Sequence, residues 1–439
     1  MLDVLANRTY RHLFFAQVIA LVGTGLATVA LGLLAYDLAG ADAGAVLGTA
    51  LAIKMLAYIG VAPVASAFAE RLPRRTLLVA LDLVRAAVAV GLPFVTEIWQ
   101  VYVLIFVLQS ASAGFTPTFQ ATIPDVLPKE ADYTKALSLS RLAYDLESLA
   151  SPALAAALLT VVSFQSLFLG TVVGFIASAL LVVSAVLPKA KPPPRRTVYE
   201  RTTRGSRLYL ATPRLRGLLA LNLAIASASA MVIVNTVVLV QSQLQLGQRF
   251  TAGALAAFGA GSMLVALGLP KLLERLPDRR VMLFGAALLT TGLFLGPLAA
   301  RRYETLVALW LLLGMGYSMA QTPSGRLLRR SASEQDRPAL FAAQFALSHA
   351  CWLITYPVAG WLGARVGLDA SFLTLAVLAG LTTLLSMRLW PQGDPAELAH
   401  THEDLPAAHE HLGSPTVDSR KRHSHAYVID DEHQRWPRE

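Results

Sequence analysis

The sequence is poor in charge. Of its 439 residues only 15% are Asp, Glu, Lys or Arg, against about a quarter in ordinary soluble domains. Cysteine is nearly absent: Cys351 stands alone, which excludes an internal disulfide and leaves nothing pointing to an oxidising compartment. There is no Gly-x-x-x-x-Gly-Lys-Ser/Thr loop to cradle a nucleotide, so an ATP-driven step is not expected. No catalytic set can be picked out, and an enzyme is not expected. The alternating ten-residue strands of a membrane barrel are missing as well. The apolar run after Arg11 is too long for the core of a signal peptide and carries no small-residue cleavage site, so no cleavable leader is expected.

What the chain has in abundance is apolar length. Hydrophobic residues make up 55% of it and the mean hydropathy is +0.54. Apolar stretches of about 20 residues recur along the whole sequence, enough for a helix to cross a ~30 Å hydrocarbon layer. Twelve spans are predicted, at 13–38, 44–68, 77–95, 101–123, 137–160, 164–187, 215–240, 252–273, 281–299, 305–323, 339–363 and 370–390. The net charge of +9 does not point to nucleic acid, because the basic residues sit in alternate short loops. Before the tail, one side collects 25 Lys or Arg and the other collects Arg249, Arg301, Arg302 and Arg365. That asymmetry places both termini in the cytoplasm.

Internal repetition sets the frame. Glu70-Arg71-Leu72-Pro73-Arg74-Arg75 recurs as Glu274-Arg275-Leu276-Pro277-Asp278-Arg279-Arg280, after span 2 and after span 8. Four segments follow: a six-span bundle at 1–187, a basic proline-rich linker at 188–214, a second six-span bundle at 215–390, and a polar tail at 391–439. The tail has too little apolar content for a core and reads as disordered.

Ser66-x-x-x-Glu70-Arg71-x-Pro73-Arg74-Arg75 resembles the span 2–3 motif of the major facilitator superfamily, Gly-x-x-x-Asp-Arg-x-Gly-Arg-Arg. Ser replaces the first Gly, Glu the Asp, and Pro the second Gly. The resemblance covers residues 1–390 and implies an all-α polytopic protein of two pseudo-symmetric six-helix bundles. The segments Thr116-Pro117-Thr118, Pro124-Asp125-Val126-Leu127-Pro128, Ala136-Leu137-Ser138 and Ser151-Pro152-Ala153 resemble the drug, siderophore and metal exporters of one subgroup. Together with a histidine-bearing tail they are most similar to nickel-resistance exporters of NreB type. The resemblance implies export out of a bacterial cytoplasm, and it makes the two turns gating elements that steady one closed state: Glu70, Arg71, Arg74, Arg75, Glu274, Arg275, Arg279 and Arg280.

Six charged residues fall well inside spans, more than two residues from either end: Lys54, Asp82, Arg85, Arg141, Asp145 and Glu147. Each would cost about 2.5–3.5 kcal/mol unpaired at mid-membrane, so they must pair or face water. Asp82 and Arg85 share a helix face at i,i+3, as do Arg141 and Asp145 at i,i+4. The first pair reads as a packing or latch pair in the network around the basic turn. At 1.5 Å per residue, Lys54, Asp145, Glu147, His349 and Cys351 all lie about 13–20 Å deep, where transporters of this build bind substrate. Carboxylate, imidazole and thiol together suit Ni²⁺, Co²⁺ or Zn²⁺. Residues two apart on a helix point about 200° from each other, so at most one of Asp145/Glu147 and one of His349/Cys351 can meet one ion. Asp145 or Glu147 with His349 is the favoured set. The plainer alternative is a hydrogen-bonded His349, an inert Cys351, and Lys54 paired with an acid of span 5.

Seven of the nine histidines crowd the tail: His400, His402, His409, His411, His423, His425 and His433. In extended chain each His-x-His projects both rings to one side, a chelating pair for the same metals.

The expectation is a proton-driven exporter of Ni²⁺ or Co²⁺ with no permanently bound cofactor. Its expected partners are lipid and a divalent metal ion, not nucleic acid, and a monomer is expected. One rival is an exporter of an organic compound, which predicts an aromatic cavity and an irrelevant tail. Another is a membrane-anchored metal buffer or sensor.

Overall fold

The computed structural model describes residues 1–39, 43–69, 72–188, 197–394, 397–401, 422–430, 433 and 436. Long helices dominate. α1 (Arg8–Ala39), α2 (Ala43–Ala69), α3 (Arg74–Gly91), α4 (Ile98–Val126), α5 (Glu130–Leu158) and α6 (Phe164–Ser184) form the first set. A shorter α7 (Val198–Ala211) follows in the linker. The second set is α8 (Pro213–Val237), α9 (Gln248–Arg275), α10 (Asp278–Ala299), α11 (Tyr303–Gln321), α13 (Arg337–Arg365) and α14 (Leu368–Leu389), with a short α12 (Ser324–Arg330) after α11.

Among the described residues, eleven helices are long and apolar enough to cross a membrane. α5 has the length, 29 residues, but carries Glu130, Asp132, Lys135, Arg141, Asp145 and Glu147. Its packing gives it the place of a twelfth. In the first set α1 packs on α6 and α5, α2 on α4, and α3 on α6 and α4. In the second, α8 packs on α14 and α13, α9 on α11, and α10 on α14 and α11. The pattern is the same once α1–α6 are matched to α8, α9, α10, α11, α13 and α14, so the sequence repeat is a structural one. Two seams join the sets, α2 against α13 and α5 against α9, and the same matching interchanges them.

Each set has its own apolar core, around Phe168 and Phe175 in the first and Trp310 and Phe372 in the second. Close approaches rest on small residues, as is usual where helices meet in lipid. A Cβ on Gly261 would stand 2.0 Å from the Leu311 carbonyl oxygen, and one on Gly314 1.9 Å from that of Phe258. The outside is apolar: Phe94, Leu169, Val173, Leu180, Phe284 and Leu298 are all exposed, a surface that suits acyl chains and not water.

One face carries the start of α1, the α2–α3 and α9–α10 turns, α7, α12 and the end of α14, and with them most of the arginines. There Asp3 pairs with Lys135 at 2.6 Å, and that bond holds the Asp3 carboxyl down to about 2. The linker differs from a plain tether, since α7 wedges between α2 and α13. Thr197 caps it by accepting from the Glu200 N–H; Gly205 lets it touch α13, because a Cβ there would lie 2.0 Å from the Ala339 carbonyl oxygen.

The tail also departs from the disordered reading. Leu398–Thr401 (β1) and Arg422–His425 (β2) pair antiparallel, with His400 opposite His423. Tyr427 and Ile429 are buried against Leu208, Tyr209 and Leu215. Overall composition does not register the few anchors of the described part, Tyr427, Ile429 and Trp436, which pack on a surface already formed by α7 and α8. Residues 402–421 lie outside the described residues.

Candidate functional site

A cavity of about 530 Å³ opens between the two sets. Its wall comes mainly from α1, α2, α4 and α5, completed by α11 and α13. Lys54, Glu147 and His349 line it, each within three residues of its helix's midpoint. Lys54 and Glu147 interact electrostatically across it. Gly25 on α1 makes room for the acid: a Cβ there would meet Ser151 at 2.2 Å and Glu147 Oε1 at 2.8 Å.

Asp145 and Cys351 do not line the cavity. Asp145 is buried and accepts from the Arg141 guanidinium, which also donates to Tyr317 Oη at 3.2 Å across to α11. Cys351 is buried two positions beyond His349. The 200° rule for residues two apart separates both pairs in this way. Asp82 and Arg85 form the packing ion pair that their spacing predicts, with its described contacts on α6 and α4. Ser178 on α6 donates to Asp82 at 2.8 Å, and the Arg85 guanidinium lies 4.0 Å from the Phe115 ring centroid and 4.5 Å from that of Phe175. The pair therefore ties α3 to α6 and α4 and presents Arg85 to the cavity.

The site is aromatic. Nine Phe and Tyr side chains line it, beside five glutamines. Tyr58 packs edge-on to His349 at 4.7 Å and against Phe345 at the same distance, while its hydroxyl donates to Gln109 at 2.8 Å. His349 Nδ1 lies 2.7 Å from the Phe345 carbonyl oxygen. Reasoning from ionisable residues alone missed Tyr58, Gln109, Tyr144, Tyr317 and Gln344. Uncharged polar groups in the middle of apolar spans were the signal that could have found them.

Among the described residues, no group of three His, Cys, Asp or Glu could hold a metal ion. In the tail, His402, His409 and His411 lie outside the described residues, and only the backbone is described at His400 and His423. His433 is buried, with its Nδ1 2.8 Å from Asp430 Oδ1; its ring stands 5.1 Å from that of His425.

Below the cavity, towards the basic face, the two sets are bolted together. Asp125, near the end of α4, accepts from Arg74 at the start of α3 and from Arg337 at the start of α13. Arg326 on α12 pairs with Glu130 on α5, donates to Thr134 Oγ1 at 2.6 Å and approaches Asp278 at 2.9 Å. Arg329 donates to the Pro128 carbonyl. Arg204 on α7 grips Asp336 through two bonds of 3.1 and 2.9 Å. Among the described residues, the polar contacts between the sets run from the cavity to this face. Of the turn residues, Arg279 donates to the Trp390 and Met387 carbonyls at 3.1 and 3.0 Å. Arg75, Glu274, Arg275 and Arg280 are exposed, and Glu70 and Arg71 lie outside the described residues.

The sequence profile of the Major Facilitator Superfamily matches residues 13–277 and 218–422. The chain belongs to this superfamily. The uncharacterized MFS-type transporter YfiS of Bacillus subtilis (strain 168) is 23% identical over 351 residues, 76% of this chain and 82% of that protein. Macrolide efflux protein A of Streptococcus pyogenes is 26% identical over 153 residues, 32% of this chain and 38% of that one. Among solved structures, the human organic anion transporter MFSD10 (TETRAN) superposes with a TM-score of 0.75 at 13% identity, covering 86% of this chain and 99% of that one. That likeness is one of fold. As a multi-pass superfamily transporter, the protein carries its cavity where this architecture binds cargo.

Proposed function

We propose that this protein exports an amphipathic organic compound bearing rings and a basic group, by alternating access across a bacterial cytoplasmic membrane. The observation that carries the reading is the aromatic wall. A volume of about 530 Å³ is in the range that encloses drug-sized molecules, and rings offset by glutamine amides grip a large apolar body while leaving it free to turn. Glu147 is the only carboxylate in that wall among the described residues, and it is the natural partner for the cargo's ammonium group. When empty, the same carboxylate is offset by Lys54 or takes a proton, which gives a route for exchanging protons against cargo. The likeness to macrolide efflux proteins supports both the direction and the substrate class. The excess of Lys and Arg on the basic face supports a cytoplasmic location for that face and both termini.

Export of Ni²⁺ or Co²⁺ is the weaker reading. A soft divalent ion wants three or four converging donors, and His349 meets two aromatic rings and a carbonyl instead. The test is transport in inside-out vesicles under a pH gradient, following a macrolide or a lipophilic cationic dye in one arm and ⁶³Ni²⁺ in the other. Uptake of the organic cation without nickel is the expected result; nickel uptake without the organic cation would reverse the assignment.

A further inference from the structure

A second cavity lies apart from the cargo site, at the basic end of the second helix set. It has a volume of about 550 Å³ and is walled by the α9–α10 turn, α12 and the residues that follow α14. Four arginines line it, Arg279, Arg280, Arg326 and Arg330, against two carboxylates, Asp278 and Asp394. The carboxylates are already engaged. Asp394 accepts from Arg330, from Arg214 at 3.2 Å and from the Trp390 indole N–H at 2.9 Å, and Asp278 faces Arg326. Arg279 spends its N–H groups on main-chain carbonyls, which leaves its charge uncompensated. Arg280 is exposed at the rim. Among the described residues, the cleft therefore holds an excess of two positive charges.

We propose that this cleft binds a phosphate-bearing anion, in the first place the headgroup of an anionic lipid. Guanidinium groups match phosphate oxygens in geometry and charge, and basic pockets between helix ends on the cytoplasmic side suit such headgroups. Two observations favour lipid over a free anion. The cleft sits at the ends of the membrane-length helices α9, α10 and α14, where a bilayer's headgroups would lie, and it is far roomier than one phosphate needs. Leu276 in its rim and Met387 beside Arg279 are exposed apolar side chains, a surface for acyl chains to cover. The site would also touch the seam, since Arg326 and Arg330 join the cleft to α5 and to the tail.

The test uses the full-length protein in phosphatidylcholine nanodiscs, alone, with phosphatidylglycerol, or with soluble pyrophosphate. Thermal unfolding midpoint and lipid retained in native mass spectrometry are the readouts. Phosphatidylglycerol is expected to raise the midpoint and to leave one bound lipid per chain. R280Q should weaken that affinity about fivefold, the contribution of one arginine near a membrane surface, and R280E should abolish it. R301E, on the opposite face, should keep it. Pyrophosphate acting in place of phosphatidylglycerol would support the same cleft with a soluble ligand. The proposal is overturned by an unchanged midpoint with both anions, by an equal response in R280E and wild type, or by equal loss in R280E and R301E.

Discussion

Replacing Asp125 with Asn should loosen the basic face and shift the protein towards the state open on that side. The carboxylate holds Arg74 from its own helix set and Arg337 from the other, with side-chain exposures of 12%, 10% and 11%. Removing one member of a buried ion pair costs about 3–5 kcal/mol, because the remaining charge is left uncompensated. Asn keeps one acceptor oxygen, and only the Arg337 bond crosses the seam, so about 2 kcal/mol should bear on closure. That is roughly thirtyfold in the ratio of closed to open molecules. The single cysteine makes the assay direct: in a Cys351→Ser background, spin labels at Lys129 and Gln335, both exposed, report the distance across the seam. D125N and R337Q should add a longer-distance population, and R74Q a smaller one. The exposed Glu274→Gln is the control and should add none. A D125N distribution identical to that of the parent would refute the claim that this carboxylate closes the face.

Three further outcomes are expected. Glu147→Gln should lower gradient-driven export of the organic cation at least tenfold in vesicles with a normal unfolding midpoint, whereas Asp145→Asn should lower the midpoint, because it strips Arg141 of its counter-charge. Gly205→Val should displace α7 from Ala339 and speed proteolysis between residues 197 and 212 without unfolding the helix sets. Trp390→Ala should destabilise the basic end by about 3–5 kcal/mol, read as a lower midpoint, since the indole is fully buried and donates to Asp394.

The architecture was legible because the bilayer forces a simple code. Apolar length marks the spans, and Glu70–Arg75 and Glu274–Arg280 mark the duplication. Charge spacing along one helix was equally readable: both intrahelical pairs, Asp82–Arg85 and Arg141–Asp145, form. Partnerships across helices were not readable. Nothing in the sequence around Asp82 announces Ser178, nearly a hundred residues away, and nothing local tells Asp125 that Arg337 will sit beside it. The lining of the central cavity was half visible for the same reason. Depth arithmetic brought Lys54, Glu147 and His349 to one level, but which way each points is set by helix rotation, and the surrounding rings look like ordinary apolar filler until the helices are packed. The described parts of the tail were not readable either, because their order is borrowed from the surface of α7 and α8.

The peculiar composition of α5 reaches back to the making of the protein. Arg141, Asp145 and Glu147 would together add on the order of 8–10 kcal/mol to the partitioning of that helix as a lone segment into oil. Even with two of the charges neutralising each other, it is a poor candidate to leave the translocon by itself. That polarity predicts that α5 enters the membrane together with α1, which packs against it, and not as a lone segment. The same polar residues that line the cavity thus tie the entry of this helix into the bilayer to that of its neighbour.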